Sequence, residues 1–395
     1  MKFNDYELFE NIAQGSLTNS KHPDRFVRPF YPTVINGGMG AYLYDTEHKE
    51  YIDFICGLGA NLFGYNCPQI EGAHERNMYG CYSLPTVHEI NLARRIREFF
   101  PFIEKVKFVN DGSSGCSAAL DIAREYQEKR GRYSVYSDGY HGWHLIFKMI
   151  YNQDRIAYDG RLPEDLSKID AKRTSCIIIE PVLLDDSKER RDYLNKLREF
   201  CTKNEIILIF DETITGLRFG SQLVSKDWCI DPDIVIFGKA LANGDKISCV
   251  GGKAKYMQGD YFVSGTFHGN TRPIIAASRC LNLSIKKDPK VLMDQGKYFM
   301  VELNTLAKGL FELKGYGTRG AFTGDQTVLA LFFQEMAKAK VLFGPSFFIS
   351  YEHVELLHEV MKLARSVIDK IRTGEAVLEG KLPTSPFTKR VRDAR

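Results

Sequence analysis

DPDIVIFGKALANG, residues 231–244, sets an amine at the end of an apolar strand. After Asp233 come Ile234, Val235, Ile236 and Phe237; Gly238 breaks the run, and Lys239 follows at once. A short run that is apolar throughout and bounded by Pro and Gly predicts a strand buried on both faces. The pattern recurs upstream. KVKFVN (105–110), YSVYS (133–137), CIIIE (176–180) and EIILIFDE (205–212) read as strands. Between them lie two helical segments. SSGCSAALDIAREYQEKRG is capped by Ser113 or Ser114 and stopped at Gly131, and SKERRDYLNKLREFCTKN is highly charged. Strands alternating with helices predict an α/β fold, with a mostly parallel central sheet covered by helices on both faces. In such sheets ligands gather outside the carboxyl ends of the strands. The candidates are therefore the residues that end strands: Asn110-Asp111-Gly112, Asp138 to His141, Glu180, Asp211-Glu212 and Lys239.

The composition is that of an ordinary globular protein. Of the 395 residues 44% are hydrophobic and 26% charged, which excludes a disordered chain. Basic and acidic residues number 53 and 50 and are spread along the chain, so neither a nucleic-acid tail nor a polybasic membrane anchor is indicated. The nine cysteines run from Cys56 to Cys280 without a CxxC pair, against a disulfide framework and against structural zinc. They read as small buried hydrophobes in a reducing compartment. MKFNDYELFENIAQ has acids where a signal peptide has its apolar core. No apolar run approaches the roughly 18 residues needed to span a bilayer. The expectation is a soluble, cytoplasmic protein. Its large domain should cover 61–280. The N-terminal segment 1–60, with GAYLYDTEHKEYIDFICG as a hairpin, should pack with a smaller α+β domain over 281–395.

The strand ends narrow the chemistry. An apolar strand closed by Asp211-Glu212 suits a nucleotide hydrolase, but GxxxxGK followed by Ser or Thr does not occur. Nor does a GxGxxG open a helix after the first strand, which removes the dinucleotide reading. Asp211 could instead face a ligand's ring nitrogen, with Glu212 a structural acid; a helix cap or paired acid would look alike. NDGSSGCSAAL opens a helix whose first N–H groups and dipole favour an anion. Gly112, Ser113 and Ser114 fit a single phosphate there, and plain capping fits them too. Tyr140 and His141 follow a strand, with Gly142 permitting a turn, so an aromatic ring could stack on a flat ligand. Lys239 discriminates among these readings. Burial disfavours the ammonium, and a neutral amine condenses with aldehydes. A flat pyridine bearing a phosphate and an aldehyde is pyridoxal 5′-phosphate, whose protein partners are a lysine and an acid on the ring nitrogen.

On these residues the chain resembles the class III pyridoxal-phosphate aminotransferases of fold type I, and within them the glutamate-1-semialdehyde aminotransferase branch. FDETITGLRFG is similar to that branch's FDEV-x-TGFR, and DPDIVIFGKALANGDKISCVGGKAKYM to its PD-x-x-x-x-GK and GG segment. FVSGTFHGNTRP resembles GT-x-x-GNP, NDGSSGCSAALDIAR resembles N-x-G-S/T-E-A, and GYHGWH resembles YHG. The matches are colinear over roughly residues 25 to 355. The resemblance implies Lys239 as the Schiff-base lysine and Asp211 on the pyridine nitrogen. It implies Gly112, Ser113 and Ser114 on the phosphate, Tyr140 over the ring with His141 beside it, and Glu180 near the cofactor. Thr266 would reach the phosphate from a neighbouring subunit of a homodimer. Arg28, in FVRPF, falls where the branch binds a substrate carboxylate.

Several positions depart from the family. Ser114 stands in place of a glutamate. Asp185 falls where the branch has Asn near the cofactor's phenolic oxygen, and Leu58 falls at a tryptophan. Arg272 is an added cation, for a substrate carboxylate or phosphate or for a surface ion pair. The implied activity is transfer of an amino group from a small-molecule donor to a keto or aldehyde acceptor. An intramolecular aminomutase is the alternative, and a decarboxylase or epimerase on the same fold comes after it. A non-catalytic cofactor-binding sensor would not need the intact Lys239 and Asp211.

Overall fold

The computed structural model describes residues 5–71, 80–147, 160–220 and 222–384. The chain forms two compact units. One comprises Met1–Leu58, Phe63–Cys67 and Asp294–Arg395, the other Gly59–Leu62 and Pro68–Met293. The second unit thus runs to Met293, beyond the residue 280 at which the sequence suggests a domain end.

In the first unit, β1 (Ile35–Met39), β2 (Tyr42–Asp45) and β3 (Glu50–Asp53) make an antiparallel meander. The β2–β3 hairpin closes on Asp45, whose Oδ1 accepts the N–H groups of Glu47 and Lys49 at 2.8 and 2.9 Å. A carboxylate that satisfies two turn amides sets the register pairing Tyr42 with Ile52. Beyond β3 the backbone makes a left-handed turn at Cys56, Gly57 and Leu58, with φ of 50°, 59° and 62°. Asp53 takes the N–H groups of Ile55 and Cys56 at 2.9 and 3.0 Å and holds this costly conformation in place.

The second unit is built on a seven-stranded sheet. Its strands are β4 (Lys105–Val109), β5 (Ser134–Asp138), β6 (Gly160–Arg161), β7 (Thr174–Ile179), β8 (Ile207–Asp211), β9 (Ile234–Phe237) and β10 (Ser248–Gly252). The order is β4-β10-β9-β8-β7-β5-β6. β10 pairs antiparallel with β4 and β9, and the remaining pairs are parallel. Every residue of β7, β8, β9 and β10 is buried. Successive side chains of a strand face opposite sides, so both faces of the sheet are covered, as the unbroken apolar runs require. On one face Cys116, Ala119 and Ile122 of helix Gly112–Glu128 join Ile178, Ile209 and Ile236 in a single apolar cluster. Gly115 permits this approach. A Cβ there would lie 2.8 Å from Ile236 and from Ser248.

The helix differs from the sequence expectation at its start. Asp111, in extended conformation, is the N-cap and accepts the Ser114 N–H at 2.8 Å, while Ser113 and Ser114 lie inside the first turn. Gly112 already has helical geometry, so the cap falls one residue earlier, on an acidic side chain that the helix dipole favours over a hydroxyl.

The first unit is completed by β11 (Phe311–Tyr316), β12 (Arg319–Gly324), β13 (Val341–Leu342) and β14 (Ser346–Phe348). β11, β12 and β14 form an antiparallel sheet, and β13 pairs parallel with β3. The apolar TVLALFFQ lies in helix Gln326–Lys338. Its Phe332 packs into an aromatic core with Phe322, Phe343 and Phe311, at centroid separations of 4.8 to 5.9 Å. No described helix is long and apolar enough to cross a membrane.

The amino end of the sheet is pinned by one buried acid. Asp233 accepts from Leu208 N–H at 2.9 Å and pairs with Arg198 at 2.9 Å and Lys253 at 2.8 Å. Burial alone would raise this carboxyl, but Arg198, Lys253 and the Leu208 amide overturn it and hold it below the usual 3.8. We predict that Asp233→Ala costs about 2 kcal/mol at pH 7, because it strands a buried amide and removes the partner of two cations. The folded value is depressed, so the wild-type advantage is complete above pH 3.8 and lost as pH falls through that lower value. Urea unfolding followed at several pH values checks both the size and the sign.

Candidate active site

The carboxyl ends of β4, β5, β7, β8 and β9 open into one cleft of about 450 Å³. Asn110, Asp111, Gly112 and Ser113 line it after β4, Tyr140, His141 and Gly142 after β5, and Glu180 after β7. Asp211 and Thr213 line it from β8, and Lys239 from β9. Ala60 and the segment Gly244–Ile247 complete the wall. The strand-ending residues singled out from sequence share this space because parallel strands deliver their last residues to the same edge.

Asp211 is the electrostatic centre. It is 3% exposed, yet its carboxyl lies below the usual range. Burial would raise it, and this is outweighed by donors that converge from three elements. His141 Nδ1 lies 2.8 Å from Oδ2, and the Cys116 thiol donates to the same oxygen at 3.1 Å. Oδ1 accepts the Thr213 N–H at 3.0 Å and the Thr213 hydroxyl at 2.5 Å. A carboxylate so held is ionised at neutral pH and suits a protonated ring nitrogen. The neighbouring Glu212 has another task. Burial raises its carboxyl, and it accepts from Val224 N–H at 2.6 Å, Ser225 N–H at 2.9 Å and the Thr215 hydroxyl at 3.0 Å, fixing the loop after β8. On that loop the fully buried Arg218 donates to the carbonyls of Gly59 and Asn61 at 2.9 and 3.0 Å, which fastens the Ala60 wall.

The anion end depends on close approaches. The N–H groups of Gly112 and Ser113 precede the first intrahelical bond, from Gly115 N–H to Asp111 O at 2.8 Å. Gly142 has φ of 103°, and a Cβ there would lie 2.4 Å from Ser113 Oγ; a Cβ on Gly112 would lie 2.8 Å from Thr213. Tyr140 is 51% exposed over this end, and its N–H donates to Glu180 Oε1 at 2.8 Å. Gly139, with φ of 128°, leaves the room that Glu180 fills. Arg190 holds the Glu180 and Pro181 carbonyls at 2.9 Å each. Lys239 itself has φ of 46° and begins a short 3-10 turn, Lys239–Ala242. A non-glycine residue in that region is uncommon and marks strain kept for a purpose.

Other residues expected at the site are not among those that line this cleft. Ser114 spends its N–H on the Asp111 cap and does not line the cleft. Asp185 is exposed and caps a turn through the Ser187 N–H at 2.9 Å. Thr266 is exposed, and its carbonyl accepts from the Cys81 thiol at 3.3 Å. Arg272 is paired with Glu71 and with the cleft residue Asp245, at 3.3 Å each, which is the ion-pair alternative. Arg28 belongs to the other unit and donates to Tyr31 O at 3.1 Å and to the Thr33 hydroxyl. Leu58, in the left-handed turn, belongs there too. Sequence reasoning missed Thr213, Cys116 and Asp245. Thr213 carried a signal, since Asp-x-Thr is a side-chain turn pattern.

The sequence pattern of the class-III aminotransferases matches residues 25–149 and 147–362, most of the chain. The chain belongs to the class-III aminotransferases. The glutamate-1-semialdehyde 2,1-aminomutase of Wigglesworthia glossinidia brevipalpis is 27% identical, over 92% of this chain and 94% of that protein. The 3-aminobutyryl-CoA aminotransferase of Cloacimonas acidaminovorans is 29% identical, over 77% and 78%. Among solved structures, the FumI protein of a Sphingopyxis species, in its PLP internal aldimine form, superposes with a TM-score of 0.83 at 21% identity, covering 96% of this chain and 97% of that one. A β-phenylalanine aminotransferase from Variovorax paradoxus gives 0.79 at 22%, covering 94% and 93%. These superpositions agree with the α/β fold read from the strand pattern, with β10 making the sheet mixed. The cofactor of this class-III enzyme is pyridoxal phosphate. The cleft fits it, with a buried acid kept ionised, a helix N-terminus, a half-exposed aromatic and an amine.

We predict that Gly142→Ala weakens pyridoxal phosphate about tenfold, because the new methyl must displace Ser113. Gly131→Ala, whose φ is also positive at 72° but whose Cβ would meet nothing within 4 Å, should leave affinity unchanged. Titration of the apoprotein with the cofactor, followed by protein fluorescence, compares the two.

Proposed function

We propose that this class-III enzyme moves an amino group between separate small molecules, an amino donor and a keto or aldehyde acceptor. The observation that carries the reading is the meeting of Lys239, Asp211 and the Gly112-Ser113 helix start in one cleft. When bound, pyridoxal phosphate supplies an aldehyde that condenses with amines and a ring that accepts electrons. By staying ionised, Asp211 would keep the ring nitrogen protonated. His141 and Thr213 keep the acid so. Gly112 and Ser113 would hold the phosphate through N–H and hydroxyl donors, and Tyr140 would cover the ring and exclude water. Lys239 Nζ would anchor the cofactor, and its free amine would take and return the proton that moves on the substrate carbon.

Resemblance to the glutamate-1-semialdehyde aminomutases supports the alternative of transfer within one molecule. Leu58 and Asp185 depart from that branch in sequence, which weakens the assignment of its substrate to this chain. The Gly244–Ile247 wall of the cleft carries Asp245 and Lys246, so a donor or acceptor with polar groups away from the reacting carbon suits it. Glu180 lies against Tyr140 as a support of the ring's cover, and Ser114 serves the helix cap.

The reading extends to a homodimer in which Thr266 reaches the partner's cofactor phosphate. Exposed apolar residues support it. Phe262 and Phe267 flank Thr266 at 90% and 60% exposure, and residues 263–265 share a groove of about 440 Å³ with Pro85, Ile90 and Ala93.

Two tests follow. Lys239→Ala should lose turnover by at least about a thousandfold, yet still bind the cofactor and change its visible spectrum when amino donors are added. Retained turnover refutes the role of Lys239. With a single ¹⁵N-labelled substrate, label appearing on an added acceptor supports transfer between molecules, and label retained in the same molecule supports the mutase. Mixing Lys239→Ala with Thr266→Ala protomers should recover about a quarter of wild-type sites, because half the dimers then contain one complete site. No recovery would mean that Thr266 does not act across an interface.

A further inference from the structure

Cys116 lies in the second turn of helix Gly112–Glu128 and is 1% exposed. It also lines the cleft, beside Asp211. The close packing of Gly115 on Ile236 and Ser248 presses this turn onto the sheet and brings the thiol within 3.1 Å of Asp211 Oδ2. Burial, and then the charge of Asp211, push the Cys116 thiol well above its ordinary value. It therefore stays protonated and acts as a donor. A thiolate here would face the carboxylate and repel it.

We propose that Cys116 is a positioning residue: its S–H grips the Asp211 oxygen that His141 also holds, keeping the carboxylate ionised and turned to the cleft. The inference rests on the reading of Asp211 as partner of the ring nitrogen. Two donors from different elements on one oxygen leave the carboxyl group little freedom to rotate, and a neutral second donor adds no charge to compete with the ring. Cys116 touches Asp211 rather than the reacting atoms, so its effect passes through that acid.

Infrared spectra of the apoprotein test the bond itself. The S–H band that disappears in Cys116→Ser should lie at the lowered frequency of a hydrogen-bonded thiol and should move in Asp211→Asn. A band at the free-thiol position overturns the proposal. Cofactor titration tests the consequence. Cys116→Ala should weaken pyridoxal phosphate about fivefold and shift the pH titration of the bound cofactor's absorbance, and Cys116→Ser should restore most of both. Equal behaviour of Ala and Ser, or wild-type affinity in both, overturns it. Should Cys116→Ala fail to fold, the infrared comparison and Cys116→Ser still decide. If wild type takes up no pyridoxal phosphate, the reading of the site fails, while the infrared band, measured without cofactor, reports separately on Cys116.

Discussion

A carboxylate almost cut off from water sits at the end of β8, and the cleft around it is arranged so that it can remain charged. Burying an ion costs several kcal/mol unless partners meet it with good geometry. Asp211 has such partners from its own turn (Thr213), from the loop after β5 (His141) and from the helix after β4 (Cys116). Each of those elements must therefore be held close. Gly115 lets the helix settle on the sheet, Gly112 clears Thr213, and Gly142 clears Ser113. Gly112, which reads in sequence as part of a phosphate nest, is with Gly115 and Gly142 equally the condition for keeping one acid ionised.

Strand ends were the legible part of the site. Lys239, Asp211, Glu180, Tyr140, His141, Gly112 and Ser113 all line the same cleft, and the reason is topological. Unbroken apolar runs separated by helices force a parallel arrangement, and its carboxyl edge is where runs stop. Loop residues were less legible, because nothing in a local pattern says which way a loop returns. Asp185 caps its own turn, and Arg272 is taken by Glu71 and Asp245. Cys116 is a different case. In sequence it is one apolar residue among many on a helix face, and only the register of that helix against β8 turns its sulfur toward an acid. The Asp111 cap shows the same limit at short range, where Ser113, Ser114 and Asp111 are all credible caps and the choice depends on where helical geometry begins.

The fold itself was legible for the same reason as the site. Both faces of β7 to β9 are buried, which needs apolar residues at every position and leaves polar ones for the ends. β10 was not anticipated as the strand that runs against its neighbours. Its SCVGG has nothing to mark direction, since a short buried strand reads alike either way.

Asp233 and Asp211 sit at opposite ends of the same two neighbouring strands. The first ties the entry of β9 to the start of β8 and to Arg198 and Lys253; the second closes β8 where the cleft begins. Demands on durability and on chemistry are thereby separated along about five residues of strand. Substitutions near the entry rim can accumulate and alter how robust the protein is while the opposite rim keeps its geometry. Changes in the exit-rim loops can redirect substrate choice without loosening the frame. A scaffold divided this way can diversify in what it acts on and keep the same catalytic core.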